Sequence, residues 1–207
     1  MKALLRAASL AGAVALLLVA AGGVVAAGGG TIKGTIRTGE SPGTPIADAV
    51  VMIDGPSVPA AAGAPHAVMN ELHDSLVPPV LAVTVGTTVD FPNSAPQLHN
   101  VLSTSAARKF DLGMYGEGEV KSVLFDTPGV VEVRCKVHPK MKGFIVVHAN
   151  PYVAVSDEQQ GSYTIADVPP GTYTLRVWHE NLPEEKVPVT IGEGQVRALD
   201  VRLKEPR

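Results

Sequence analysis

The chain has 207 residues, 45% hydrophobic and 18% charged, with a formal net charge of −3. This composition excludes a broadly disordered chain, which could not bury enough apolar surface to fold, and offers no basic surplus for nucleic-acid binding. Gly (21) and Pro (17) are frequent while aromatics make up only 4%, which predicts many short strands joined by turns rather than long helices.

The first 27 residues are of a different kind from the rest. Lys2 and Arg6 precede an apolar run over residues 7–27, broken only by Ser9 and small residues, and Val25-Ala26-Ala27 places small side chains where a signal peptidase requires them. The segment reads as a secretory signal peptide cut after Ala27, giving an exported chain, periplasmic or secreted, with no membrane attachment after cleavage. An uncleaved anchor is the alternative, because an apolar run of this length can span a bilayer. Cys135 is the only cysteine, so no intramolecular disulfide can form. A lone thiol in an oxidising compartment is a liability unless something occupies it.

From residue 31 the pattern is strand, turn, strand. Residues 31–37 (TIKGTIR) alternate, and 49–53 (AVVMI) form a short apolar run. Residues 55–65 (GPSVPAAAGAP) read as a linker by composition. Residues 81–91 (LAVTVGTTVDF) are two strands about Gly86, and 120–125 alternate. Thr127-Pro128-Gly129 turns the chain into 130–134 (VVEVR), which runs directly into Cys135; 143–148 (GFIVVH) form another strand. Strand character recurs at 161–165, 172–177, 186–191 and 196–203, with Pro-Pro-Gly at 169–171 and Gly-Glu-Gly at 192–194 between them. No sustained helical period follows residue 27, so the predicted fold class is all-β, as packed sandwiches.

The chemistry concentrates in CKVHPKM, which spaces Cys135, His138 and Met141 three residues apart at the end of a buried-looking strand. A strand end followed by a tight loop can aim all three side chains at one point. Thiolate, imidazole and thioether are donors that copper accepts in both oxidation states. His99, at the head of HNVLS, supplies a second imidazole, and two His, one Cys and a weak axial Met make a type 1 copper site. A lone buried Cys or Met is ordinarily core filling; it is the joint spacing that argues for ligation. Zinc competes, but structural zinc sites favour several Cys or His and seldom use Met.

These same segments resemble the cupredoxin family, particularly its plastocyanin, amicyanin and pseudoazurin branch. The resemblance rests on VTVGTTVDFPN (83–93), HNV (99–101), PGVVEVRC (128–135) and HPKMKGFIVV (138–147). It implies a Greek-key β-sandwich or barrel over residues 65–149 holding one mononuclear copper. His99 and His138 are then the imidazole ligands, Cys135 the thiolate and Met141 the axial donor. It also implies that Asn100 ties the first-ligand loop to the cysteine loop. The family carries more strand at its amino-terminal edge, and that edge is expected from residues 49–53 or from the flanking domain. The flanks, residues 28–60 with 151–207, resemble a carboxypeptidase regulatory-like, transthyretin-like β-sandwich. The resemblance lies in an opening strand pair, an acidic glycine turn, a Tyr-containing strand and a Pro-Gly hairpin. The copper-binding domain would then be inserted in or packed against a discontinuous domain.

The function implied is single-electron transfer between redox protein partners, with the edge of His138 as the exit. Arg134, Lys136, Lys140 and Lys142 beside the ligand loop, with Arg108 and Lys109, point to an acidic docking surface on the partner. The alternative is a copper carrier, chaperone or sensor delivering metal to an exported enzyme, and a third reading is an adhesive or scaffold module with a vestigial site. An enzyme is not expected, since multicopper catalysis needs further histidine clusters. His66 and His73 with Met69 and Met52 are weaker candidates for a second copper. His66, His73, His148 and His179 read more simply as solvated histidines. Trp178 reads as packing at a sheet edge, and Asp157 and Asp167 as turn residues.

Overall fold

The computed structural model describes residues 28–55 and 66–205. The expected signal peptide and all of the expected linker except Gly55 therefore lie outside the described residues. Among the described residues every regular element is a strand, so the chain is all-β, and no helix is long and apolar enough to cross a membrane. In chain order the strands are β1 Gly30–Thr38, β2 Thr44–Pro45, β3 Val50–Asp54, β4 His66–Val68, β5 Asn70–Leu72, β6 Ser75–Val77 and β7 Val80–Thr84. There follow β8 Thr87–Pro92, β9 Val101–Ser103, β10 Phe110–Asp111, β11 Val120–Phe125, β12 Gly129–Cys135 and β13 Lys142–His148. The last are β14 Val153–Val155, β15 Ser162–Val168, β16 Gly171–His179, β17 Leu182–Ile191, β18 Val196–Ala198 and β19 Val201–Leu203.

The middle of the chain forms one sandwich. Its larger sheet runs β10-β9-β12-β13-β7, its smaller one β11-β8-β4, and β5 and β6 form a separate hairpin. Alternation decides what faces the core. In β12 Val131, Val133 and Cys135 point inward while Arg134 points out, and in β8 Thr87, Val89 and Phe91 point inward. Cys135 therefore reaches the interior by the same period-two rule that buries Val131 and Val133. The amino-terminal edge expected from residues 49–53 or from the flanking domain comes instead from β4, which pairs parallel with β8. A three-residue strand is too short to leave a periodic signal, which is why the sequence does not announce it.

The flanking segments form the second sandwich. β1 lies between β15 (antiparallel) and β18 (parallel), and β3 lies between β14 and β16. Apart from the short β1–β2 pairing, residues before the middle sandwich thus pair with residues after it. Ile32, Ile36, Val51, Ile53, Leu175 and Val177 fill its core.

Two apolar runs lack alternation, AVVMI in β3 and FIVV in β13, because both faces of these strands are covered. Val51 and Ile53 face the second core, whereas Val50 and Met52 meet Val80 and Val146 of the first sandwich in a third apolar cluster. Phe144 and Trp178 pack edge to face across it, ring centroids 5.3 Å apart. Trp178 accordingly stands between the two sandwiches, on a strand paired on both sides, and not at a sheet edge. His148, expected in solvent, is buried, and its Nε2 donates to the Ile53 carbonyl (3.0 Å). Because β1 and β3 are held in the centres of their sheets, cleavage of the chain between Asp54 and His66 is expected to leave the two pieces associated. Size-exclusion chromatography of the nicked protein checks this, and release of a free amino-terminal fragment under native conditions contradicts it.

Candidate metal centre

The four sequence-selected donors arrive on two loops at one end of the first sandwich. Cys135 ends β12, and the loop after it closes tightly: the Met141 N–H donates to the His138 carbonyl (2.9 Å) and the Cys135 N–H to the Met141 carbonyl (3.0 Å). His99 precedes β9 and exchanges two backbone hydrogen bonds with Tyr115 (3.1 and 3.0 Å). The Lys136 N–H donates to the Asn100 carbonyl (2.9 Å), which joins the two loops. The tie expected of Asn100 thus exists through its backbone, while its side-chain amide donates to Asp111 (2.9 Å) and holds β10 beside the loop. Asn93 braces the approach to His99, donating to the Gln97 and Tyr115 carbonyls (2.8 and 3.2 Å).

Cys135 Sγ lies 3.6 Å from His99 Nδ1 and 3.7 Å from His138 Nδ1, and the two Nδ1 atoms are 3.2 Å apart. Three atoms so spaced have a common centre about 2 Å from each, the length of a metal–imidazole bond. His99 is fully buried, and burial first, then the neighbouring His138, hold its imidazole below the usual histidine pKa. A neutral ring with a free lone pair is the form that binds metal. Met141 is buried in the same apolar cluster as Cys135. The donor set and its spacing fit a single soft or borderline metal ion such as copper.

The hairpin β5–β6 adds two carboxylates that the sequence reading did not single out. Glu71 is fully buried, with Oε2 3.7 Å from His99 Nδ1, and neither carboxylate oxygen has a hydrogen-bond partner among the described residues. Burial pushes its carboxyl up to about 8. Asp74, at the exposed turn, brings Oδ1 to 3.6 Å from His138 Nε2. The one available signal was the period-two spacing of Met69 and Glu71, which puts the acid on the inward face with the methionine.

The rim is less basic than the lysines and arginines suggest. Arg134 pairs with Glu132 and Lys142 with Glu180, so that Lys136 and Lys140 are the loop's exposed cations outside any ion pair among the described residues. Exposed apolar side chains alternate with these charges, namely Leu98 before His99 and Val137 before His138. The second-copper candidates are not gathered: Met69 lies in the first core, Met52 between the sandwiches, and His66 pairs with Asp90. Among the described residues His99, Cys135 and His138 are the one such cluster of metal-ligating side chains.

The family model for domain II of polysaccharide lyase family 4 matches residues 135–199. The match begins at the cysteine loop and covers most of the carboxyl-terminal strands. It gives no support to the carboxypeptidase regulatory-like resemblance of the flanks; the glycine turn, Tyr strand and Pro-Gly hairpin behind that expectation are features of many antiparallel sheets. No curated protein matches the chain. Similar solved structures include a copper-containing nitrite reductase from Thermus scotoductus SA-01, 29% identical with a TM-score of 0.38, over 39% of this chain and 22% of that one. A purple cupredoxin from Nitrosopumilus maritimus is 23% identical over 41% of this chain and 99% of that one, TM-score 0.36. An oxidised amicyanin mutant is 25% identical over 47% and 98%, TM-score 0.38.

Proposed function

We propose that the protein is an exported type 1 copper protein that carries single electrons between redox partners, with His99, Cys135 and His138 as principal ligands and Met141 as the weak axial donor. The observation that carries this reading is the triangle of one thiol and two imidazole nitrogens, 3.2–3.7 Å on a side, around a point about 2 Å from each. Copper, when bound, supplies a one-electron couple. The chain's own part is to hold the donors in a single arrangement. Cys135 is fixed by a strand paired on both sides, His99 by its bridge to Tyr115, and the loops by the Lys136–Asn100 bond. Burial of Cys135, His99 and Met141 keeps water from the donors. Four protein donors leave no position for a substrate, which supports a carrier rather than an enzyme. A lone buried thiol occupied by metal is also compatible with the oxidising compartment that the amino-terminal segment implies.

His138, 24% exposed at its side chain, is the ligand nearest solvent and the route for electrons. Lys136 and Lys140 beside it suit a partner with an acidic surface, and charges so placed act mainly on the association rate. The flanking sandwich is, in this reading, a discontinuous structural domain into which the copper-binding domain is inserted.

Addition of Cu(II) to the purified chain tests the assignment. One equivalent is expected to bind and to produce an intense visible thiolate-to-copper band, with a reversible potential in voltammetry and no loss of metal during cycling. Absence of the band rejects the assignment. Rapid transfer of the copper to a competing acceptor, with no reversible couple, favours metal delivery instead.

A further inference from the structure

The hairpin β5–β6 has no counterpart in the site as read from the sequence, yet both of its strands are clamped to the end of the first sandwich where the donors meet. Glu71 bridges in parallel to Asn93, and the Ser94 N–H donates to the Glu71 carbonyl (2.9 Å), so β5 continues along the end of β8 toward the His99 loop. On β6, buried Leu76 lies against Gly143, two residues past Met141, so closely that a Cβ there would stand 3.2 Å from the leucine Cδ1. Leu72 pairs with Ser75, which leaves His73 and Asp74 as a two-residue turn. His73 takes φ 53° there, in the left-handed region that glycine ordinarily fills in such a turn. A hairpin clamped at its base and tightly turned at its tip carries the Asp74 backbone to a defined spot.

That spot is the outer edge of His138. Asp74 Oδ1 stands 3.6 Å from His138 Nε2, and His138 is the one ion-pair partner of the Asp74 carboxylate among the described residues. The opposite ring nitrogen, Nδ1, is the atom that faces Cys135 Sγ (3.7 Å) and His99 Nδ1 (3.2 Å). A neutral ring that gives its Nδ1 lone pair to a metal carries its proton on Nε2, and the group facing the second nitrogen decides which tautomer is held. At 3.6 Å the contact is an attraction between the carboxylate charge and the N–H dipole rather than a hydrogen bond, and it favours that same tautomer.

We infer that Asp74 is a positioning residue of the metal centre: its carboxylate holds the His138 proton on Nε2, so that Nδ1 is presented to the ion, and its negative charge stabilises Cu(II) over Cu(I). The inference rests on the copper reading above. With His138 as a ligand, the charge sits one imidazole ring away from the ion and lowers the potential of the centre. The Asp74 side chain is 69% exposed, so the effect weakens as salt screens it.

The test compares wild type, Asp74→Asn, Asp74→Glu and, as a control for net charge, Asp126→Asn. Asp126 precedes β12, whose far end carries Cys135, about 20 Å away at about 3.3 Å per residue. The readouts are Cu(II) and Cu(I) affinities by chelator competition and the potential by voltammetry, each at about 0.01 M and 1 M salt, where the Debye length is about 30 and 3 Å. Nitrogen NMR of the metal-free chain at alkaline pH reports the His138 tautomer. At low salt Asp74→Asn is expected to weaken Cu(II) binding about three- to tenfold and to leave Cu(I) binding nearly unchanged, which raises a one-electron potential by about 30–60 mV. This is less than a hydrogen-bonded outer partner supplies, because the carboxylate stands off at 3.6 Å in contact with solvent. The difference from wild type should shrink at 1 M salt, and the ring should move toward the Nδ1–H tautomer. Asp74→Glu keeps the charge and should stay near wild type, and Asp126→Asn should match it. An Asn variant at position 74 with the wild-type potential or the wild-type tautomer overturns the inference while leaving the copper reading intact. So does an equal shift in Asp126→Asn, because net charge alone would then be responsible. Should Asp74→Asn disturb the turn, seen as a lower melting temperature of the metal-free chain, Asp74→Glu decides: the wild-type potential supports the inference, and the Asn-like shift overturns it. A wild type without a thiolate band overturns the copper reading and this inference with it.

Discussion

Replacing Cys135 by serine is expected to abolish the visible copper band and to weaken Cu(II) binding by more than about 100-fold, a loss larger than removal of a ligand's supporting partner produces. The thiolate is the soft anionic donor of the set, and its sulfur lies within 3.7 Å of both imidazole nitrogens. A serine hydroxyl does not ionise near neutral pH and reaches less far, so it replaces neither the charge nor the bond. The fold should survive. Backbone pairing of β12 with β13 and β9, including Cys135 opposite Val101, involves no side chain. The buried hydroxyl is drawn back from imidazole nitrogens already 3.6 and 3.7 Å from the sulfur, so its cost is that of an unsatisfied polar group, about 1–3 kcal/mol. Far-ultraviolet circular dichroism should therefore match wild type while the copper titration collapses. Retention of the band in this variant would show that another group carries it and would remove Cys135 from the ligand set.

The parts of the site that could be read from sequence are those encoded locally. Cys135, His138 and Met141 are seven residues from end to end, and the alternation of VVEVR carries the inward direction straight to the cysteine. His99 was reachable because a second imidazole was chemically required and one stood at the head of a strand. Glu71 and Asp74 were not reachable in this way. Their hairpin is built of two three-residue strands, too short for a period to emerge, and its docking depends on a bridge to Asn93 twenty-two positions away. The same limit applies between the sandwiches. AVVMI and GFIVV read as buried strands, but nothing local tells which partner covers their second face. His148 and Trp178, which help to form that contact, consequently read as a solvated histidine and an edge aromatic. Pairing of β4 with β8 is likewise a long-range choice, made by the sheet edge that the rest of the sandwich leaves open.

Phe125→Ala is expected to destabilise the first sandwich by about 3–5 kcal/mol. Against a total stability of roughly 5–15 kcal/mol for an ordinary domain, this is a large share. Phe125 is fully buried, and its ring meets Phe110 edge to face at 6.2 Å, while Phe110 in turn packs on Phe91 at 5.8 Å. The consequence reaches the metal centre through β10. Phe110 begins that strand, Asp111 follows, and Asp111 accepts the Asn100 amide that steadies the residue after His99. Removing the Phe125 ring takes away one of the two rings on which Phe110 rests, so the loop carrying His99 should loosen and copper affinity should fall along with stability. Leu175→Ala supplies the contrast. Leu175 is equally buried but lies in the core of the flanking sandwich, and a loss of about 2–5 kcal/mol there should leave the copper spectrum and affinity of the folded protein unchanged. Urea unfolding of the metal-free variants, paired with copper competition under native conditions, separates the two effects. Equal loss of copper affinity in both variants would mean that the apolar contact around Val50, Met52, Val80 and Val146 couples the sandwiches strongly enough for damage in one to reach the ligands in the other.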